Sequence, residues 1–259
     1  MSGVAAETFS AEWLALRAPY DRAARSKSLA RDFLSALPRN ARVADLACGA
    51  GANARYLAAL GRRDLRWTLM DADPALLGAA GGGLPGSRTR RVDLARPRQT
   101  LGLGRFHGVT ASALCDLVSG PWLDGVISVA ARHGLPLLFA LTVDGRTAFS
   151  PGDAEDGAVL RRFRRDQARD KSFGPALGPC APLRLATALR AHGYHFRIAR
   201  ADWRLGAGDG ALLEALVGGM ATAGGPPVDG WLGRRRAQIA AQRLAAVVGH
   251  VDVFASFSG

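Results

Sequence analysis

Between residues 41 and 143, short apolar segments of strand length alternate with segments of helical periodicity. Strands that alternate with helices pair in parallel, because each helix carries the chain back across the sheet. The sequence therefore predicts an α/β fold built on a parallel sheet. The predicted strands are Ala41–Ala47, Trp67–Met70, Arg90–Leu94, His107–Ser112 and Leu135–Val143.

Both flanks of this region are largely helical. Residues 11–37 have helical spacing, and Pro19 is predicted to separate two helices there. Asp144-Gly145 predicts a tight turn, followed by a short returning strand over 146–149. Further helices are predicted over 116–133, 153–169, 183–192, 209–223 and 229–248, and further strands over 194–199 and 250–257.

The net charge is +12, from 34 Lys and Arg against 22 Asp and Glu in 259 residues. A hydrophobic content of 48% excludes a disordered chain. Only Lys27 and Lys171 are lysines, and this arginine bias is typical of a GC-rich genome. We interpret the charge as a solvated arginine surface, with a surface for nucleic acid or an acidic substrate as the alternative.

Three cysteines, Cys48, Cys115 and Cys180, form no CxxC motif or Cys/His cluster, so no metal site is predicted. The N-terminus lacks the basic and apolar regions of a signal peptide. The longest apolar run, Leu135–Val143, is about half of what a membrane span needs. We therefore expect a cytoplasmic protein with no membrane partner.

The residues most informative about function are Asp45 to Asn53, with the sequence DLACGAGAN, after the first predicted strand. Gly49 and Gly51 let the backbone approach a ligand closely and adopt positive φ. Asp71 and Asp93 end the next two strands, at the sheet edge where such folds bind ligands. We expect Asp71 to accept hydrogen bonds from a ribose diol and Asp93 from an adenine amino group.

Two cofactor classes fit this arrangement. Gly49 to Ala54 matches the G-x-G-x-x-A form of the dinucleotide fingerprint. However, Asp45 beside the turn suits a cation better than a pyrophosphate. S-adenosylmethionine (SAM) carries a sulfonium and an ammonium group and no phosphate, so the residues favour SAM.

The segment VADLACGAGANARYL resembles motif I of the class I SAM-dependent methyltransferases of the bacterial small-molecule type. WTLMDADPALL is similar to their motif II, and RVDL to their acidic third-strand motif. The resemblance covers 41–143 and, more weakly, 183–199; Ala47 departs from it where the family usually has glycine. It implies a Rossmann-like, doubly wound sheet of seven strands with the last strand antiparallel, SAM as cofactor and methyl transfer.

The motifs and the resemblance together predict a set of cofactor-binding residues. Arg17 and Arg25 are predicted to pair with the methionine carboxylate of SAM, the alternative being surface arginines. Asp116, Lys171 and Tyr20 are the candidate catalytic residues, and Tyr20 is expected near the sulfonium. The cofactor set is Arg17, Arg25, Asp45, Ala47, Gly49, Gly51, Asn53, Asp71, Ala72, Asp93, Leu94 and Ser112.

We expect one methyltransferase domain over 1–259. Residues 1–40 would form an N-terminal helical cap, 41–143 the SAM-binding core, and 144–182 a lid. In the lid, Phe173 would be an apolar wall and Lys171 a contact for an anionic acceptor. Residues 183–259 would complete the sheet, with a helical insertion before the last strand that serves as a pocket cover, a dimer surface or extra packing.

We predict an enzyme that transfers a methyl group from SAM to an unidentified small-molecule acceptor, at O, N or C. An RNA methyltransferase is an alternative, since 161–165 and 234–236 are rich in arginine. The Asn/Asp-Pro-Pro-aromatic motif of many base methyltransferases is absent after the fourth strand. A SAM-binding protein without transfer activity is a third alternative, and a monomer and a homodimer both remain open.

Overall fold

The structure is a computed structural model that describes residues 10–84, 86–95, 101–226 and 228–257, so residues 1–9 of the expected cap lie outside it. The strands are β1 Arg42–Leu46, β2 Arg66–Asp71, β3 Arg88–Arg91, β4 Gly108–Ser112, β5 Leu137–Ser150, β6 His195–Arg200, β7 Trp203–Leu205 and β8 Ala245–Ser256. The α-helices are α1 Ala11–Ala24, α2 Lys27–Ser35, α3 Ala52–Ala58, α4 Pro74–Gly82, α5 Gly120–Arg132, α6 Asp156–Gln167, α7 Ala181–Ala191, α8 Gly210–Thr222 and α9 Asp229–Ala240.

The strands form one mixed sheet in the order β3-β2-β1-β4-β5-β8-β6. The first five of these pair in parallel, and β8 pairs antiparallel with both β5 and β6. This is the doubly wound architecture with an antiparallel last strand that the resemblance implies, and it confirms the predicted fold class. The described residues add an eighth strand, β7, which was not predicted and pairs with the first half of β8.

The first two helices do not divide where the sequence analysis placed the break. Pro19 lies inside α1, so the prediction that it separates two helices was wrong. The chain instead leaves the helix at Arg25, which is extended, and Ser26 caps α2 by accepting from the N–H of Leu29. The N–H of Ser26 donates to Asp252 at 2.8 Å, so a tertiary contact decides the position of this break.

The predicted turn at Asp144-Gly145 was also wrong, because β5 continues through it to Ser150. The register against β8 shifts between Val143 and Thr147, so the extra residues form a bulge. β8 is long enough to pair with both halves of β5. It therefore begins at Ala245, and the helix predicted to reach residue 248 ends at Ala240.

Helices cover both faces of the sheet, which explains why the inner strands are apolar over nearly their whole length. On one face α2 and α3 pack over β1 and β2, and on the other α5 and α7 pack over β4 and β5. The predicted helical insertion consists of α8 and α9, which share a third apolar cluster with α6 and β7. No helix among the described residues is long and apolar enough to cross a membrane.

We expect Gly108→Ala to destabilise the fold by about 1–3 kcal/mol through overpacking. A Cβ at Gly108 would lie 2.6 Å from Cδ2 of Leu37 and 3.1 Å from Cζ of Phe33, and both side chains are buried. Gly125→Ala on α5 is the matched control, because its Cβ would meet nothing within 4 Å. That variant should gain roughly 0.5–1 kcal/mol. Urea unfolding measures both, and equal stability of the two variants would contradict the close packing of α2 on β4.

Candidate functional site

Two cavities adjoin each other at the carboxyl ends of the parallel strands. Cavity A has a volume of about 450 Å³ and cavity B of about 540 Å³, both within the range of small-molecule sites. Arg17, Ala113, Leu117 and Lys171 line both. The other residues of cavity A are Leu14, Ala47, Gly49, Asp71, Ala72, Asp73, Pro74, Leu76, Val92, Asp93, Leu94, Ala95, Ser112, Leu114, Ser172 and Phe173.

Cavity B lies against the bulged half of β5 and is lined on its other sides mainly by helices. Its remaining lining residues come from α1, from the segment after β4, from β5, β7 and β8, and from α6 and α8. They are Ser10, Trp13, Asp116, Leu141, Val143, Gly145, Thr147, Leu160, Phe163, Arg164, Asp166, Gln167, Trp203, Ala215, Leu216, Gly219, Met220, Val248 and His250. The helical insertion therefore forms one wall of this cavity.

Asp71 at the end of β2 organises the polar side of cavity A. Its Oδ2 accepts from the N–H of Gly49 at 2.8 Å, and its Oδ1 accepts from the N–H of Asp73 at 3.0 Å. A carboxylate offers about four acceptor positions. Asp71 therefore holds the glycine turn in place and retains acceptor capacity for a ligand in the cavity.

The opposite side of cavity A is apolar and braced by an aromatic pair. Phe173 packs edge-on against Trp122, with ring centroids 5.4 Å apart. The Nε1–H of Trp122 donates to the carbonyl of Leu94 at 2.7 Å. These contacts join the segment that carries Phe173 to the residues after β3.

Of the six described non-glycine residues with positive φ, four line at least one of the two cavities. Ala47, which stands where the resemblance has glycine, has φ +49°, a conformation that costs an L-residue about 1–2 kcal/mol. Ala113, Leu141 and Ser172 also have positive φ and line a cavity. Backbone strain of this kind is common at ligand sites, where packing and hydrogen bonds of the surrounding structure stabilise the strained conformation.

The structure brings eight of the twelve predicted cofactor residues to cavity A. These are Arg17, Ala47, Gly49, Asp71, Ala72, Asp93, Leu94 and Ser112. Arg25, Asp45, Gly51 and Asn53 line neither cavity.

Asp45, Asn53 and Arg25 form a buried network beneath cavity A. The Asn53 amide donates to Oδ1 of Asp45 at 2.6 Å and to Oγ1 of Thr110 at 3.1 Å, and Arg25 donates to Oδ1 of Asn53 at 2.6 Å. Asp45 has no exposed surface, and burial raises its pKa to about 7. The expected contact between the charge of Asp45 and a ligand is therefore absent from this arrangement.

Gly51 has a packing role in the structure. It has φ +81° and precedes α3, and a Cβ there would lie 3.1 Å from Cβ of Ala80 on α4. The close approach of Ala80 leaves no room for a side chain at the residue before α3.

Arg17 and Tyr20 both lie on α1, but only Arg17 lines the two cavities. Arg17 donates to both carboxylate oxygens of Asp21, and its guanidinium lies 5.1 Å from the ring centroid of Trp203. The hydroxyl of Tyr20 donates to Asp209 at 2.9 Å, and this hydrogen bond raises the pKa of Tyr20. Tyr20 lines neither cavity, so the structure does not place it at the expected position.

Asp116 and Lys171, the other two candidate catalytic residues, both line cavity B. Asp116 is 8% exposed, and its Oδ1 has no hydrogen-bond partner among the described residues. Burial raises the pKa of Asp116 to about 6, against the opposing effects of its own backbone N–H, of Arg17 and of the backbone N–H of Val143. Lys171 lies 3.7 Å from Asp166 in an ion pair.

Four residues that line cavity B were not predicted from the sequence: His250, Trp13, Phe163 and Trp203. His250 is 3% exposed, and burial lowers its pKa to about 4. It reaches the cavity because β8 pairs antiparallel with β5, opposite Val143. No local motif marks these residues. Five further side chains that could act as bases line neither cavity: Asp144, Asp170, His133, His192 and His195.

No protein-family model and no curated protein matches this sequence. Solved structures are similar in fold. YcgJ from Bacillus subtilis is 13% identical with a TM-score of 0.49, covering 90% of this chain and 99% of that chain. A putative methyltransferase from Bacillus halodurans is 16% identical with a TM-score of 0.49, covering 89% and 97%. Geranyl diphosphate C-methyltransferase from Streptomyces coelicolor, solved with S-adenosyl-L-homocysteine, is 12% identical with a TM-score of 0.46, covering 89% and 79%. Similarity at this level identifies no substrate.

The burial of Asp45 predicts a specific pH dependence of stability. Its pKa of about 7 in the folded protein exceeds the ordinary 3.8, so the folded state binds more protons between these values. Stability from this group is therefore complete at low pH and is lost as the pH rises through 7. Between about pH 5 and pH 8, wild type should lose roughly 1–3 kcal/mol more than Asp45→Asn. Urea unfolding at both pH values measures this difference, and parallel pH curves would place Asp45 in contact with solvent.

Proposed function

We propose that this chain binds SAM in cavity A and transfers its methyl group to a small molecule in cavity B. The observation that carries this proposal is the junction of the two cavities at Arg17, Ala113, Leu117 and Lys171. Methyl transfer needs the donor and the acceptor in contact within one enclosed space. Two adjoining cavities of small-molecule size supply that arrangement.

The residues of cavity A fit the parts of SAM. Asp71 has acceptor capacity for a ribose diol, and Asp93 lies beside the apolar surfaces of Val92 and Leu94, which suit an adenine ring. Ala47, Gly49, Ser112 and Arg17 remain for the methionine end. When bound, SAM supplies an activated methyl carbon on a sulfonium.

The same cavity suits a dinucleotide less well. Asp71, Asp73 and Asp93 all line it, and their charges oppose a pyrophosphate. These charges replace Asp45 as the reason against a dinucleotide, because Asp45 does not line the cavity.

Within this proposal, α1 and the lid segment keep water from the reacting atoms. Leu14 and Arg17 on α1 close one side, and Lys171 to Phe173 close another. Exclusion of water and a fixed acceptor position are what the chain itself contributes to an in-line transfer. The domain division into a cap, a SAM-binding core, a lid and a C-terminal half follows from these roles.

The alternatives have weaker support. An RNA methyltransferase must admit a polymer, whereas cavity B has the size of a small-molecule site and is lined by Trp13, Phe163 and Trp203. A SAM-binding protein without transfer activity has no need of a second cavity beside the cofactor.

The three cysteines are unpaired, which supports a cytoplasmic location.

We expect the protein to bind SAM and S-adenosylhomocysteine and not NAD. The reason is the acidic lining of cavity A. Isothermal titration calorimetry with each ligand measures this. Binding of NAD without binding of SAM would refute the proposed function.

Asp71→Ala should weaken S-adenosylhomocysteine binding by about 1–3 kcal/mol, because the ribose hydroxyls lose their acceptor. Calorimetry of the variant measures the loss. Asp124→Ala is the control, since Asp124 pairs with Arg184 on the surface and lines neither cavity. The control should stay within about 0.5 kcal/mol of wild type. Wild-type affinity in Asp71→Ala would remove Asp71 from the ribose site.

A further inference from the structure

Cavity B presents a buried hydrogen-bond acceptor that lacks a donor. Asp116 lines it, and its Oδ1 has no partner among the described residues. Buried acceptors without donors are costly, so an occupant that donates a hydrogen bond is favoured. The cavity thus selects for a molecule with a hydroxyl or amino group.

His250 adds a second acceptor. Its Nδ1 lies 3.1 Å from the carbonyl oxygen of Val248, which can only accept, so Nδ1 carries the proton. In the neutral ring this leaves Nε2 as an acceptor. The residue lines cavity B and is almost fully buried.

The remainder of cavity B is mainly aromatic and aliphatic. Trp203 is buried, and its Nε1–H already donates to Asp21 at 3.0 Å, so it offers the cavity an apolar surface. Trp13 packs edge-on against it, with centroids 6.3 Å apart, and Phe163 lines the wall formed by α6. Such surfaces suit a ring system.

The positive charge of Arg17 favours a hydroxyl acceptor over an amine acceptor. Arg17 lines both cavities, and its charge acts on Asp116 and on His250, lowering the pKa of each. A hydroxyl that loses its proton during transfer gains negative charge, which this field stabilises. A neutral amine develops positive charge as it is methylated, so the same field opposes it.

Of the two acceptors in cavity B, Asp116 lies nearer in sequence to residues that also line cavity A. Ala113 and Leu117, which flank it, line both cavities, whereas His250 lines cavity B alone. Asp116 is thus better placed than His250 to meet the group that attacks the methyl carbon.

We propose that cavity B takes a ring-containing, mostly apolar molecule with a phenolic hydroxyl, and that Asp116 is the general base for its O-methylation. This inference rests on the proposed function. The hydroxyl proton passes to the Asp116 carboxylate while the oxygen forms a bond to the methyl carbon. The carbon–sulfur bond of SAM breaks, and its electron pair stays on sulfur to give S-adenosylhomocysteine. The products are the aryl methyl ether and the protonated Asp116.

The first experiment uses 2-naphthol, 2-naphthylamine and naphthalene, which share one ring system, with the full chain and SAM. Calorimetry first establishes S-adenosylhomocysteine binding, whose absence would refute the proposed function itself. Equilibrium dialysis then compares the three probes in the presence of S-adenosylhomocysteine, and mass spectrometry follows methyl transfer from SAM. We expect 2-naphthol to bind more tightly than naphthalene and to be methylated faster than the amine.

The second experiment tests Asp116 as the base. Asp116→Asn should bind 2-naphthol within about threefold of wild type but transfer the methyl group on the order of 100-fold more slowly in a single turnover. With 1-nitro-2-naphthol, which is much more acidic and ionises without a base, the deficit should shrink to less than about tenfold. Asp124→Asn, outside both cavities, is the control and should match wild type.

Three outcomes would overturn the proposal although S-adenosylhomocysteine binds. In the first, naphthalene and 2-naphthol bind equally, or 2-naphthol binds without being methylated. In the second, the amine is the faster acceptor. In the third, Asp116→Asn transfers at the wild-type rate, or shows the same deficit with the naphthol and its nitro derivative. A purely structural role for Asp116 predicts that same deficit for both.

Discussion

The antiparallel pairing of β8 with β5 is the interaction on which the rest of this site depends. Asp252 on β8 accepts from the N–H of Leu141 at 2.8 Å, within the first register shift of β5, where Leu141 has positive φ. The other oxygen of Asp252 accepts from the N–H of Ser26 at 2.8 Å. One buried carboxylate therefore sets the bend of β5 and the junction of α1 and α2. The wall of cavity B and the approach of Arg17 both follow from it.

A second buried carboxylate, Asp45, acts together with Asp252 through Arg25. Arg25 is nearly fully buried, lies 4.3 Å from the ring centroid of Tyr56, and donates to Asn53, which in turn donates to Asp45. Burial raises the pKa of both carboxyl groups, and the charge of Arg25 opposes that shift. Buried charges are expensive unless paired in good geometry. The first motif thus contributes both a ligand-facing turn and an internal network that ties that turn to the last strand.

The parallel core was predictable because its signals are local. β1, β2, β4 and the first half of β5 contain short apolar runs, Asp71 ends β2, and Asp93 lies two residues after β3. In parallel sheets such residues meet at one edge, whatever the details of packing. Hence eight of the residues that line cavity A could be assigned from sequence, including Gly49 and Ser112.

What the sequence by itself determined was the doubly wound sheet, its antiparallel last strand and eight of the residues that line cavity A. The tertiary structure alone decided that Asp45 is buried, that Pro19 stays within α1, and that His250 faces the second cavity. The physical reason is sequence separation. His250 meets Val143 across a strand pair, and Ser26 meets Asp252 from the opposite end of the chain. Local periodicity in the sequence does not predict contacts between residues so far apart in the chain, because these contacts depend on how the completed helices and strands pack.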